Sequence, residues 1–156
     1  MRLSDSVWEW GTGATTRYLA GRCKRLVSVE HDATWAINAI SSGLTNSTVL
    51  YVPQDLPLVD PSDDGDGDTH RSYVETYTGK GVDVVLIDGR ARVACARQVA
   101  EAAAHGPHPG VRIFLHDWER PEYESIWRDA DKFGNSEGYF RRVEVVGRLM
   151  RMEARL

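Results

Sequence analysis

Five short apolar runs, each followed by a helix-like window, constrain this chain more than any other feature of its sequence. The runs cover residues 6–10, 25–30, 48–52, 82–88 and 111–116, and four of the five end at or just before an acidic residue. The fourth, V-D-V-V-L-I-D, is nearly continuous in apolar character, as a parallel strand covered on both faces must be. Helical spacing is expected over 15–22, then from Ala33 onward behind an Asp32 cap, with Ala33, Ile37 and Ile40 on one face. Further helices are expected over 71–77 and 91–104, the latter with Val93, Ala96, Val99, Ala100 and Ala103 in register. Pro121 opens a last helix with Tyr123, Ile126, Trp127, Ala130 and Phe133 facing inward. At the end of the chain, Met150, Met152, Ala154 and Leu156 alternate with Arg151, Glu153 and Arg155, the pattern of a half-exposed antiparallel strand. Gly147-Arg148 suits a tight turn between it and residues 140–146. The fold class expected is therefore α/β: an open, mostly parallel sheet with helices on both faces and a C-terminal antiparallel β-hairpin.

Length fits one domain over 1–156 with an acidic loop insertion at about 53–70, since domains cluster near roughly 100–150 residues. The composition is globular, with 42% hydrophobic and 27% charged residues, so a disordered chain is excluded. No apolar run is long enough to span a bilayer, and Met1-Arg2-Leu3-Ser4-Asp5 lacks the apolar core of a signal peptide. A cytoplasmic protein without a membrane partner is expected. Cys23 and Cys95 fall on helices and read as packing residues rather than a disulfide or zinc framework. The net charge of −4 is uneven: six Asp and no Lys or Arg lie between Pro53 and His70. Setting those six aside leaves 17 of the 23 acidic residues against 19 Lys and Arg, a balance of +2. That is too weak a basic footprint for a nucleic-acid partner.

In open parallel sheets ligands bind beyond the carboxyl ends of the strands, at the point where strand order reverses. The first such end reads E-x-G-x-G-x-T-T from Glu9 to Thr16 and runs straight into a helix. Gly11 and Gly13 allow a tight turn and a close approach of backbone to a ligand, and the helix start at Thr15 offers amides to a polar group. Alone, the pattern is equally a plain glycine turn. Glu30 ends the second run 19 residues after Gly11, where an acid accepts hydrogen bonds from ribose hydroxyls. Thr16 stands where a dinucleotide fingerprint needs its third glycine, and no Gly-Lys-Ser/Thr phosphate loop follows.

The E-x-G-x-G form with its threonine-rich helix start resembles motif I of the class I S-adenosylmethionine-dependent methyltransferases. The resemblance extends along the chain through V-S-V-E-H-D at 27–32, L-I-D-G-R-A-R at 86–92 and H-D-W-x-R at 116–120. Together these are similar to a group of small methyltransferase-like proteins with a Rossmann-like sheet. The resemblance implies S-adenosyl-L-methionine as cofactor, with Glu9, Gly11 and Gly13 around its methionine part and Thr15 at the helix start. It places Glu30 on the ribose, His31 against the adenine and Asp55 at the adenine amino group. Asp88 then lies near the methionine moiety or the reacting centre. Trp10 and Trp118 are read either as faces for the sulfonium or as core residues.

Methyl transfer to oxygen needs positioning and a proton acceptor. Asp88, His116 and Asp117 are the catalytic candidates, with His116 as general base or substrate contact. Catechol-type O-methyltransferases hold magnesium with an Asp after the fourth strand and an Asp-Asn pair after the fifth. Here an Asp, Asp88, follows the fourth strand but the pair is His116-Asp117, so the match is incomplete and a divalent cation such as Mg2+ on Asp88 and Asp117 is only partly supported. Arg90 and Arg120 are read as clamps for an anionic group, and Arg92 as helix-surface charge. Asp64, Asp66, Asp68 and Glu75 fall at calcium-loop positions, yet Thr69 replaces the required glycine, which favours a solvated, mobile loop close enough to act as a lid.

Class I methyltransferases usually carry an N-terminal helical segment that this chain lacks, which implies a minimal form, a truncated one or a homo-oligomer that borrows a wall. The function expected is methyl transfer to a small-molecule or sugar-like acceptor at oxygen. A nucleoside-binding domain without turnover is the alternative. An NAD-dependent oxidoreductase is disfavoured by Thr16 and by the lack of a Tyr-x-x-x-Lys signature.

Overall fold

The computed structural model describes residues 1–60, 63–105, 111–127, 140–146 and 149–154. Its strands are β1 (Ser6–Trp10), β2 (Arg25–Glu30), β3 (Ser47–Tyr51), β4 (Val84–Ile87), β5 (Arg112–His116), β6 (Phe140–Val146) and β7 (Leu149–Ala154). They form one sheet in the order β3-β2-β1-β4-β5-β7-β6. The first five are parallel, as expected, whereas β7 pairs antiparallel with β5 and β6 with β7. The turn expected at Gly147-Arg148, the inward residues Ala130 and Phe133, and Arg155 and Leu156 lie outside the described residues.

The helices are α1 (Ala14–Ala20), α2 (Ala33–Ser41), α3 (Arg71–Glu75), α4 (Arg92–His105) and α5 (Glu124–Trp127), the last behind a 3-10 turn at Pro121–Tyr123. Asp32 caps α2 as expected, accepting from the Trp35 amide at 3.0 Å. The inward face differs from the expected one: Ile37 and Ile40 are about 60% exposed, and Ala36 is the buried residue. This helix lies over the outer strand β3, which is itself half-exposed, so only a small side chain is needed on the inner face. Among the described residues, no helix is long and apolar enough to cross a membrane.

Alternation along the strands divides the core in two. On one face Trp8, Trp10, Val27, Val29, Val85, Ile87, Ile113 and Leu115 pack beneath α3, α4 and the 3-10 turn, in a cluster of 18 buried residues. Each large side chain buried there contributes roughly 1.5–3 kcal/mol. On the other face, Val7, Leu26, Val84 and Leu86 meet Leu19, Ala20 and Cys23, among the described residues a cluster of seven, with Phe114 and Leu149 partly buried at its margin. Among the described residues the α1 face is the thinner of the two. Order reverses between β1 and β4, since the chain builds outward to β3 and then crosses back, and the crevice this leaves is where a ligand is expected.

Candidate active site

The floor of the crevice is bare backbone. Gly11, at φ +89°, lies so close to the loop after β4 that a Cβ would stand 2.7 Å from the Cα of Gly89. A Cβ on Gly89 would collide with the Tyr73 hydroxyl, so both positions require glycine. The Gly11 amide donates to Val29 at 2.8 Å and the Asp88 amide to Trp10 at 3.1 Å, which fixes the two strand ends against each other.

Glu30 closes one side. Its Oε2 accepts from the Thr12 amide (2.7 Å) and the Thr12 hydroxyl (2.8 Å), and its Oε1 from the amides of His31 (2.8 Å) and Asp32 (2.9 Å). The His31 Nδ1 lies 2.9 Å from the same Oε1. Burial would raise the pKa of this carboxyl, but these donors outweigh it and bring it down to about 2. The rings of His31, His70 and Tyr73 meet edge to face at 5.6–6.2 Å and form the adjoining wall. His70 is fully buried, and burial, with the facing His31 ring, lowers its pKa.

The opposite side is a charged hub around Arg92, which is 7% exposed and no surface residue, contrary to expectation. Its guanidinium donates to the backbone oxygens of Gly89 (3.0 Å), His116 (2.7 Å) and Asp88 (3.2 Å). It also pairs with Asp88 and Asp117 at 3.6 Å and Asp64 at 3.9 Å. Asp64 comes from the acidic loop. Its side chain accepts from the Arg92 amide at 2.8 Å, its backbone oxygen accepts from Ala91 at 2.8 Å, and Arg90 donates to the Asp63 oxygen at 2.8 Å. Asp66 accepts from the amides of Asp68 and Thr69. Through Asp63 and Asp64 this stretch is thus docked on the strand ends rather than free in solvent. Burial raises the pKa of Asp64 despite those partners.

His116 completes the hub. Its Nδ1 lies 2.9 Å from Asp88 Oδ1 and 3.2 Å from Asp117 Oδ1. Asp117 adopts φ +54°, a left-handed conformation uncommon for a side-chain-bearing residue and concentrated at functional sites. It turns its carboxylate back toward His116, Arg92 and Arg120. Burial raises the pKa of Asp88, with Asp117 adding to the rise and His116 and Arg92 opposing it.

The residues expected at the site divide into those gathered and those held elsewhere. Gly11, Glu30, His31 and Asp88 line one cleft of about 230 Å3, together with Thr12, Trp35, Asp64 and Arg92. Gly13 opens instead on a groove between α1 and α2, and Thr15 and His116 on a separate cavity. Glu9 does not face the cleft. It is fully buried beneath the loop, its Oε2 accepting from Ser28 (2.7 Å) and Thr16 (2.9 Å). Burial pushes its pKa up to about 7. Trp10 is also fully buried, its indole N–H donating to the Tyr73 carbonyl, and belongs to the core. Trp118 packs partly buried against the same core. Asp55 is exposed and accepts from the amide and hydroxyl of Ser72, holding the start of α3. Among the described residues no group of three or more His, Cys, Asp or Glu is arranged to hold an ion. Asp88 and Asp117 are instead turned to His116 and Arg92. Thr12, Asp64 and the buried role of Arg92 were not read from the sequence.

No family model matches the chain, and no curated protein matches it. Solved structures do. A Streptococcus mutans protein assigned as a methyltransferase, in complex with SAH, superposes with a TM-score of 0.60 at 7% identity, over 99% of this chain and 90% of its own. Aeropyrum pernix fibrillarin with natively bound S-adenosyl-L-methionine gives 0.57 at 15% identity, over 97% and 67%. An rRNA methylase from Streptococcus thermophilus gives 0.53 at 11% identity, over 99% and 89%. The chain spans only 45% and 59% of the length of two other solved chains it matches. With the sheet order, these likenesses show that the chain has the Rossmann-like fold of class I methyltransferases.

Proposed function

We propose that this protein is an S-adenosylmethionine-dependent methyltransferase acting at oxygen on a small-molecule acceptor. The observation that carries the reading is the Glu30 carboxylate at the crevice, where Thr12 already presents it with one N–H and one O–H donor. A ribose diol offers O–H donors of the kind the Thr12 hydroxyl supplies, so a nucleoside would compete with Thr12 for this carboxylate. Gly11 and Gly89 bring backbone rather than side chains to the cleft, and His31 with Trp35 would flank the adenine. Bound there, S-adenosylmethionine would supply a methyl group that its positively charged sulfur activates for transfer to the acceptor oxygen. His116 would take the hydroxyl proton on Nε2, and Asp88, beside Nδ1, would stabilise the imidazolium. Asp117 and Arg92 would position that pair. Asp88 and Asp117 are both engaged by His116 and Arg92.

A small acceptor is favoured over nucleic acid, although one protein of similar fold is an rRNA methylase, because the chain is acidic overall. The two C-terminal strands are proposed to form the hairpin that extends the sheet. Calorimetric titration with S-adenosylmethionine, S-adenosylhomocysteine and NAD tests the reading. Micromolar binding of both sulfur nucleosides and none of NAD is expected, with Glu30→Ala weakening it more than tenfold. Unchanged affinity in Glu30→Ala would remove the ribose assignment, and nucleoside binding with no methyl transfer across an acceptor screen would favour a binding domain without turnover.

A further inference from the structure

The thin face of the sheet holds a second cavity, separate from the nucleoside cleft. It has a volume of about 490 Å3 and lies between α1 and the inner sides of β4, β5 and β7. Every second residue of the strands supplies its floor, Leu86 and Phe114 side by side in register, with Leu149 beyond His116. Tyr18 stands over it from α1. Its polar groups gather at the end formed by the strand termini, where Asp88 and His116 reach in. The far rim carries Arg22, whose guanidinium lies 3.9 Å from the Tyr18 ring. Small-molecule sites are typically about 300–1,000 Å3, mostly apolar, with a few convergent polar groups. This cavity has that size and that distribution.

Asp88 lines both this cavity and the nucleoside cleft. A group-transfer enzyme needs two binding spaces that meet at the reacting atoms, and Asp88 with His116 marks such a meeting point. We propose that this cavity is the acceptor site, and that its acceptor is a compact apolar ring compound bearing one hydroxyl at the Asp88–His116 end. A sugar fits poorly: each hydroxyl set against Leu86, Phe114 or Leu149 would lose its water without a partner. The chemistry of this proposal rests on the methyl-transfer reading, whereas the binding it predicts does not.

The test is calorimetric titration of the full chain with 1-naphthol, with methyl glucoside as a polar control and S-adenosylhomocysteine in parallel. One-to-one binding of 1-naphthol is expected, at least threefold weaker in Tyr18→Ala and in Leu149→Arg, with no heat from methyl glucoside. Tyr18 is 58% exposed, so its replacement leaves the fold in place. Absence of 1-naphthol binding, equal affinity in both variants, or preferential binding of the glucoside overturns the proposal. So does a dimer in sedimentation that Leu149→Arg disperses, since the cavity would then be filled by a second copy of the chain. S-adenosylhomocysteine binding without 1-naphthol binding leaves the methyl-transfer reading standing and removes this one. Variant-sensitive 1-naphthol binding without S-adenosylhomocysteine binding does the reverse.

Discussion

Glu9 and Glu30 are both buried carboxyls near one loop, yet their environments drive them in opposite directions. Five donors surround Glu30, whereas the burial of Glu9 exceeds what its hydroxyl partners return. A folded-state pKa near 7 for Glu9, against an ordinary 4.5, means that its contribution is most favourable at low pH and is lost as pH rises through 7. The penalty at pH 8 is about 3 kcal/mol on this shift. Glu9→Gln is therefore expected to change stability little at pH 4.5 and to raise it by about 1–3 kcal/mol at pH 8, read from urea midpoints. Glu30 behaves oppositely: its contribution is present above 4.5 and is lost as pH falls toward 2. Gly11, Glu30 and Asp88 were legible in the sequence because each stands just past or at a strand end. Motif position puts Glu9 at the loop, but strand alternation governs its side chain more strongly. It shares a face with Val7, so it points into the α1 layer, and Trp10 points into the opposite core for the same reason.

Among the elements, the apolar runs located all five parallel strands, since burial on both faces writes itself directly into composition. What the sequence did not reveal were contacts that join distant segments. The acidic stretch reads locally as a solvated loop, and only the folded chain brings Asp64 to Arg92, 28 positions away. Exposed acids such as Asp68 fit the local reading, and Asp64 does not. The inner face of α2 departs from the expected one for a related reason, because helical spacing alone does not say which side an outer strand will cover. Arg92 ties α4 and the loop to the ends of β4 and β5. Arg92→Met is expected to destabilise the fold by about 3–5 kcal/mol, as loss of one partner from a buried charge group does. Loop proteolysis near Asp64 should accelerate in parallel in that variant, and an unchanged unfolding midpoint would show that the hub is not structural.

Across the whole molecule, the reversal of strand order and the unequal cores set where ligands enter. The thick face is closed by α3, α4 and a fully buried Tyr123, whereas the thin face keeps its space between α1 and the sheet. On the proposed reading, donor and acceptor spaces adjoin at Asp88 without either lying behind the other. Traffic through an enzyme so built would have no compulsory queue. Initial-rate plots at varied concentrations of both substrates should intersect, and each product should compete with the substrate it derives from. Strictly ordered kinetics would mean that one ligand has to build the doorway for the other, which two separately walled chambers with one shared partition do not require.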